Sequence, residues 1–203
     1  MKKTFLMAVT ALMMAINMNA QEGYEDTKHE VSITFGIEPT SQRIENFKNL
    51  GGAIGYTDND KYMEPISAEY FYHINKWLGI GSIFVYGNHK QELYNIYSSK
   101  HISYDDRIAK RSYNYYTLLP TVKFNFVRKK NFGLYSKAGL GVTYRTESMD
   151  YDDGSEDYSE KAMLFNWQLS FIGVEAGSPY LRGFAELGFG EQGIVCAGLR
   201  YKF

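Results

Sequence analysis

The sequence predicts an all-β fold, an eight-stranded antiparallel up-and-down transmembrane β-barrel, and three observations predict it. Eight segments alternate apolar and polar residues with period two, which gives each strand one greasy face and one polar face. The polar faces carry full charges, too many for the core of a soluble sheet protein. The connections alternate long and short, as in a barrel with loops on one rim and turns on the other.

The first 20 residues stand apart. Lys2 and Lys3 precede an uncharged apolar run from Phe5 to Ile16, and Asn17-Met18-Asn19-Ala20 forms a short exit ending in a small residue. This is a secretory signal peptide pattern with cleavage expected after Ala20. The run of about 12 residues is short of the ~20 that a spanning helix needs. No Cys follows it, which excludes lipoprotein processing. The expected organisation is a signal peptide over 1–20 and one barrel domain over 21–203.

Without Lys2 and Lys3 the chain keeps 20 basic and 23 acidic residues, a formal charge of −3. That near-neutral balance argues against nucleic acid as a partner. Cys196 is the single cysteine, so neither an intrachain disulfide nor a Cys-based zinc site is available. No metal or cofactor is expected. After residue 20 no apolar run reaches 18 residues, whereas Tyr (18), Phe (13) and Gly (19) are abundant, as suits a membrane sheet.

The eight segments follow in order. In 31–37, Val31, Ile33, Phe35 and Ile37 oppose Ser32, Thr34 and Gly36. In 66–74, Ala68, Tyr70 and Tyr72 oppose Ser67, Glu69 and His73. Segment 78–87 has an ambiguous facing, because Gly79, Gly81, Ile83 and Val85 are not polar. In 113–127, Leu118, Val122, Phe124 and Phe126 oppose Thr117, Thr121, Lys123 and Asn125. Segment 134–145 alternates most clearly, with Leu134, Ala138, Leu140, Val142 and Tyr144 against Tyr135, Lys137, Gly139, Gly141, Thr143 and Arg145. The sixth, 163–171, sets Met163, Phe165, Trp167, Leu169 and Phe171 against Asn166, Gln168 and Ser170. The seventh, 181–189, sets Ala185, Leu187 and Phe189 against Arg182 and Glu186. The eighth, 195–203, ends on the aromatics Tyr201 and Phe203 with Gly198, Arg200 and Lys202 between the apolar positions.

The expected outer loops are 38–62, 88–112 and 146–161, and the connection near 190–193 is short. A lipocalin-like barrel or a β-sandwich turns its apolar face inward. The polar faces here carry Glu69, Lys123, Lys137, Arg145, Arg182, Glu186 and Arg200, too many full charges for the core of a soluble sandwich, where unpaired burial is costly. Inside a membrane barrel these seven form a polar network in the lumen. Aromatics gather near the strand ends (Tyr72, Trp77, Phe126, Tyr144, Phe189, Phe203), where interfacial girdles lie. Pro120 cannot donate to a ladder and predicts a bulge or a weakened rung in strand four.

The signal peptide, the eight strands and the ending Gly198-Leu199-Arg200-Tyr201-Lys202-Phe203 resemble the small outer-membrane β-barrels of Gram-negative bacteria, the OmpA/OmpX-like barrels and the porin-family small barrels of Bacteroidetes. The resemblance implies location in the outer membrane. It also implies that Gly198, Tyr201 and Phe203 form the signal read by the barrel-assembly machinery, and that outer-membrane lipid surrounds the barrel. The basic residues Lys90, Lys100, Arg107, Lys110 and Arg111 of the long second outer loop are candidates for contact with lipopolysaccharide phosphates or with the acidic loop itself.

Three constellations carry chemistry. His101-Ile102-Ser103 matches the His-x-Ser pair of lipid A deacylases, in which the His is a base for the Ser; it lies in a long loop with no orienting Glu at a comparable distance, and a solvated loop is the expected reading. The stretch 147–160 holds Glu147, Asp150, Asp152, Asp153, Glu156, Asp157 and Glu160 without the spacing of an EF-hand, so a solvated loop is expected there rather than a calcium site. The lumen charges are expected to fill an eight-stranded barrel. The functional expectation is a non-catalytic structural or surface-interaction protein acting through its outer loops. A narrow porin-like channel for ions or small solutes is the alternative, and a lipid A-modifying hydrolase the weaker one.

Overall fold

The computed structural model describes residues 27–39, 56–94, 107–151 and 158–203. Eight strands, β1 (His29–Ile37), β2 (Tyr56–His73), β3 (Leu78–Tyr94), β4 (Arg107–Arg128), β5 (Phe132–Tyr151), β6 (Tyr158–Gly177), β7 (Leu181–Gly190) and β8 (Val195–Lys202), pair antiparallel with their sequence neighbours. Pairing of β1 with β8 closes the barrel. All eight expected segments are strands, which leaves the sheet without an edge in the closed part.

Apolar side chains face outward. Ile33, Phe35, Phe84, Leu118, Leu140, Phe171, Leu187 and Leu199 are exposed around the barrel wall. At the turn end the band is bordered by Tyr72, Trp77, Phe126, Tyr180, Tyr201 and Phe203. At the other end Tyr86, Tyr116 and Tyr144 stand side by side in register across β3, β4 and β5. Beyond that row the outward positions turn polar: Asn88, Asn114 and Thr146 come next on the three strands. An apolar belt between two aromatic girdles is the outer surface of a membrane barrel.

Strand lengths differ sharply around the ring. β1, β7 and β8 have 9, 10 and 8 residues, close to the ~9–11 a tilted spanning strand needs. β2 to β6 have 18, 17, 22, 20 and 20. Much of what the sequence assigned to loops 38–62, 88–112 and 146–161 is therefore strand, continuing past the tyrosine row as a paired sheet. Alternation of apolar and polar residues lapses there because neither face meets lipid. The strands persist through backbone pairing.

Two local features correct the expected facing. Between Ser170 and Ile172 the β6 ladder slips against β7, and β5 slips against β6 between Tyr135 and Lys137. This bulge turns both Phe171 and Ile172 outward and brings Gly173 and Glu175 inward. At Pro120 no bulge forms. The β4–β5 register is the same on either side, but no pairing is made between Leu118↔Val142 and Thr121↔Gly139. One stretch of ladder is lost where the proline has no donor.

Candidate functional site

The lumen is where buried charged side chains gather in the largest number among the described residues. Its β2–β4 side is apolar: Phe71, Ile83, Val85 and Leu119 form a buried cluster, which resolves the ambiguous facing of β3. Beside and across from it lie four carboxylates, Glu30, Glu69, Glu175 and Glu186, and five cations, Lys123, Lys137, Arg182, Arg200 and Lys202, all buried.

Arg200 is the hub. Its guanidinium lies 2.6 Å from Glu175, 3.3 Å from Glu69, 3.5 Å from Glu30 and 3.8 Å from Glu186. Its Nε donates to Ser32 Oγ at 3.0 Å. The planar cation is sandwiched between the rings of Phe184 (4.2 Å) and Tyr135 (4.8 Å). A flat, delocalised guanidinium with five donors serves this geometry as an ammonium does not.

The remaining pairs interlock. Lys123 Nζ sits 2.5 Å from Glu30 and over the Tyr135 ring at 4.1 Å. Lys137 Nζ bridges Glu69 at 2.5 Å and Glu186 at 2.9 Å. Tyr135 donates its hydroxyl to Glu186 at 2.7 Å, and Ser170 does so at 2.8 Å. Glu175 also takes Arg182 at 2.6 Å and Lys202. His73 Nε2 lies 3.0 Å from Glu30. Each carboxylate thus meets at least two cations, the condition under which burying charge is tolerable. The Tyr135 ring fits because Gly173 faces it across the pair. A Cβ there would lie 2.4 Å from the ring.

The short β7–β8 connection closes this cluster from above. Gly190 and Gly193 adopt φ of 135° and 112°, a region that favours glycine, and the turn folds inward. Gln192 then donates from Nε2 to Ser67 Oγ and Glu69, both at 2.8 Å. Its backbone N donates to Gln168 Oε1 at 2.8 Å. Glu191 accepts from Asn166 at 2.7 Å. Cys196, also buried, donates its thiol toward the Gln192 carbonyl at 3.3 Å. Arg182, Lys123, Lys137, Arg200, Glu69 and Glu186 are at most 3% exposed, so water does not run past them.

Of the seven residues the sequence put in the lumen, six meet in this network. Arg145 faces inward but lies higher, on the extension. There it stands 3.9 Å from Glu147, which Arg111 approaches at 3.1 Å. Both guanidinium groups lie over Tyr113, which stacks on His89 at 5.8 Å. Glu147 is therefore engaged by arginines; Asp152, Asp153, Glu156 and Asp157 of the acidic stretch lie outside the described residues. So do His101 and Ser103.

Sequence reading missed Glu30, Glu175 and the part played by Tyr135; Lys202, which the alternation of the last strand pointed inward, joins the network on Glu175. Gly198 faces the lumen against the Phe184 ring. Tyr201 and Phe203 face outward, stacked at 5.8 Å, and His29 stacks on Phe203 at 5.4 Å. The Phe203 amide donates to the His29 carbonyl at 2.9 Å and the His29 amide to the Phe203 carbonyl at 2.9 Å, so the last residue closes the ring with β1.

No family model matches the chain, and no curated protein matches its sequence. Among solved structures, the chain is similar to the N-terminal β-barrel domain of Pseudomonas aeruginosa OprF, with a TM-score of 0.44 and 12% identity over 88% of this chain and 98% of that one. It is also similar to Ail, the attachment invasion locus protein of Yersinia pestis, with a TM-score of 0.42 and 13% identity over 87% and 97% of the two chains. A second Ail structure, in complex with the heparin analogue sucrose octasulfate, gives 0.41 and 15% over 87% and 99%.

Proposed function

We propose that this chain is an outer-membrane surface protein, exported by its N-terminal signal. Its closed barrel is a non-conducting, non-catalytic anchor for the β2–β6 sheet, which engages partners outside the bilayer. The observation that carries this reading is the continuation of β3, β4 and β5 past the Tyr86–Tyr116–Tyr144 row, where outward residues become Asn88, Asn114 and Thr146. Spanning a bilayer does not require those extra residues. A paired sheet held clear of the membrane is a rigid platform for recognition. Lipopolysaccharide is the partner we favour, since Lys90 and Lys110 are exposed on the outer face of β3 and β4 above the belt and can meet its phosphates. Gly198, Tyr201 and Phe203 are proposed as the contact with the barrel-assembly machinery.

The channel reading finds no support in a lumen whose ions pair with one another and are shielded from water. The test is to trim residues 90–110 and measure binding of expressing cells to immobilised lipopolysaccharide. A drop of about tenfold is expected, with the trimmed barrel still showing the heat-modified gel migration of a folded barrel. Unchanged binding by the trimmed protein overturns the reading.

A further inference from the structure

The turn-side rim of the barrel carries cations and, among the described residues, no exposed carboxylate side chain. Lys28 precedes β1, Lys76 lies in the β2–β3 turn, and Arg128, Lys129 and Lys130 lie at the β4–β5 turn. Glu25 and Asp26 fall outside the described residues. The nearest described acid on that side, Glu175, is buried among Arg182, Arg200 and Lys202.

The β4–β5 turn is built to hold its shape. Arg182, buried beneath it, donates from Nη2 to the carbonyls of Lys129 and Lys130 at 2.8 and 2.7 Å, while its Nη1 is fixed on Glu175 at 2.6 Å. The Gly177 amide donates to the Asn131 carbonyl at 3.0 Å, and the Lys129 amide to the Phe132 carbonyl at 2.8 Å. Arg128 reaches the Thr27 carbonyl on the other side. With the backbone clamped from inside, Lys129 is exposed and Lys130 half-buried at the rim. The neighbouring turn is tied in through the Asn125 amide, which donates to the Trp77 carbonyl at 2.8 Å.

Trp77 and Phe126 flank these amines and are 56% and 67% exposed. Such side chains belong at the boundary between acyl chains and headgroups. Primary amines just beyond them lie at the depth of the lipid phosphates. With Trp77 and Phe126 holding this rim at the bilayer boundary, the anions at the depth of the amines are the phosphates of the lipids in that leaflet.

We propose that the Lys129–Lys130 turn, with Lys76 on the adjoining turn, is a binding site for the phosphate of anionic glycerophospholipids in the leaflet on the turn side. This rests on the membrane-barrel reading. The clamp from Arg182 keeps the site preformed, so little ordering opposes binding, and each amine near the surface adds to the attraction.

The test uses the whole chain in phospholipid vesicles. The protein has two tryptophans, so Trp167→Phe leaves Trp77 beside the site as the only tryptophan, read by red-edge excitation that spares the tyrosines. Quenching by brominated phosphatidylglycerol is compared with quenching by brominated phosphatidylcholine. The relative association constant is expected at about three- to tenfold in favour of phosphatidylglycerol, and to fall toward one in about 0.5 M salt. Lys129→Gln with Lys130→Gln should bring it to one while both lipids still quench. A ratio of one before mutation, or a preference that survives the double substitution, overturns the proposal. Absence of quenching by either lipid overturns the membrane reading itself.

Discussion

The central lumen and the inner face of the extension share strands β2 to β6, yet they hold charge in opposite ways. In the lumen Arg200, Lys123 and Lys137 are out of water and each meets two or more carboxylates. On the extension the Arg111–Glu147 and Arg145–Glu147 pairs share one carboxylate, and the arginine side chains keep 32% and 15% of their exposure. The difference teaches that one alternating pattern yields two kinds of polar interior. Where the ring is closed by eight strands, charge becomes a structural cross-brace. Where only five strands continue, it is paired more loosely and lies nearer to water.

The largest effect is expected at Arg200. Replacing it by Met leaves Glu30, Glu69 and Glu175 short of a buried cation and should cost about 3–5 kcal/mol, read as a lowered urea midpoint of the folded barrel in micelles. If that midpoint hardly moves, the network is not the brace described. Next comes Gly173→Ala, which drives a methyl group into the Tyr135 ring and should cost about 1–3 kcal/mol in the same assay. Equal stability there would mean that the ring has room to move.

On the extension the effects shrink. Glu147→Gln should change stability by less than ~1 kcal/mol, because Gln keeps the shape and the hydrogen-bonding oxygen while both arginines retain contact with water. A loss as large as that at Arg200 would erase the contrast between the two regions. The smallest effect is a local pH dependence. Burial beside Tyr113 pushes the His89 imidazole down to about 4 from its ordinary 6.5. An unfolded chain therefore takes up a proton before the folded sheet does. The stability that His89 contributes is complete above about pH 6.5 and is lost as pH falls through about 4. Amide exchange in 88–94 and 107–114, corrected for intrinsic rates, should accelerate on acidification while the membrane-spanning strands stay protected. His89→Phe should abolish that response, and an unaltered response would assign it to another group.

Much of this architecture was legible in the sequence, because strands that face lipid must alternate. The six lumen charges that meet were visible for that reason. Glu30 was not, since Thr27-Lys28-His29-Glu30 reads as polar chain and only pairing with Phe71 and Lys202 makes it a strand. Glu175 was hidden by the bulge. Strict period two from Phe171 points it outward, and one extra residue reverses it. The long extension escaped notice because its strands face water on the outside and carry no amphipathic signature. The inward fold of Gln192 depends on two glycine conformations that composition alone does not encode.

The central claim is that the charged lumen is a brace and not a path. Single-channel recording of the purified chain in planar bilayers tests it most directly. The account predicts no discrete conductance steps from the intact barrel at any applied voltage short of membrane breakdown. Reproducible steps whose size or ion selectivity changes with Lys137→Ala would contradict it.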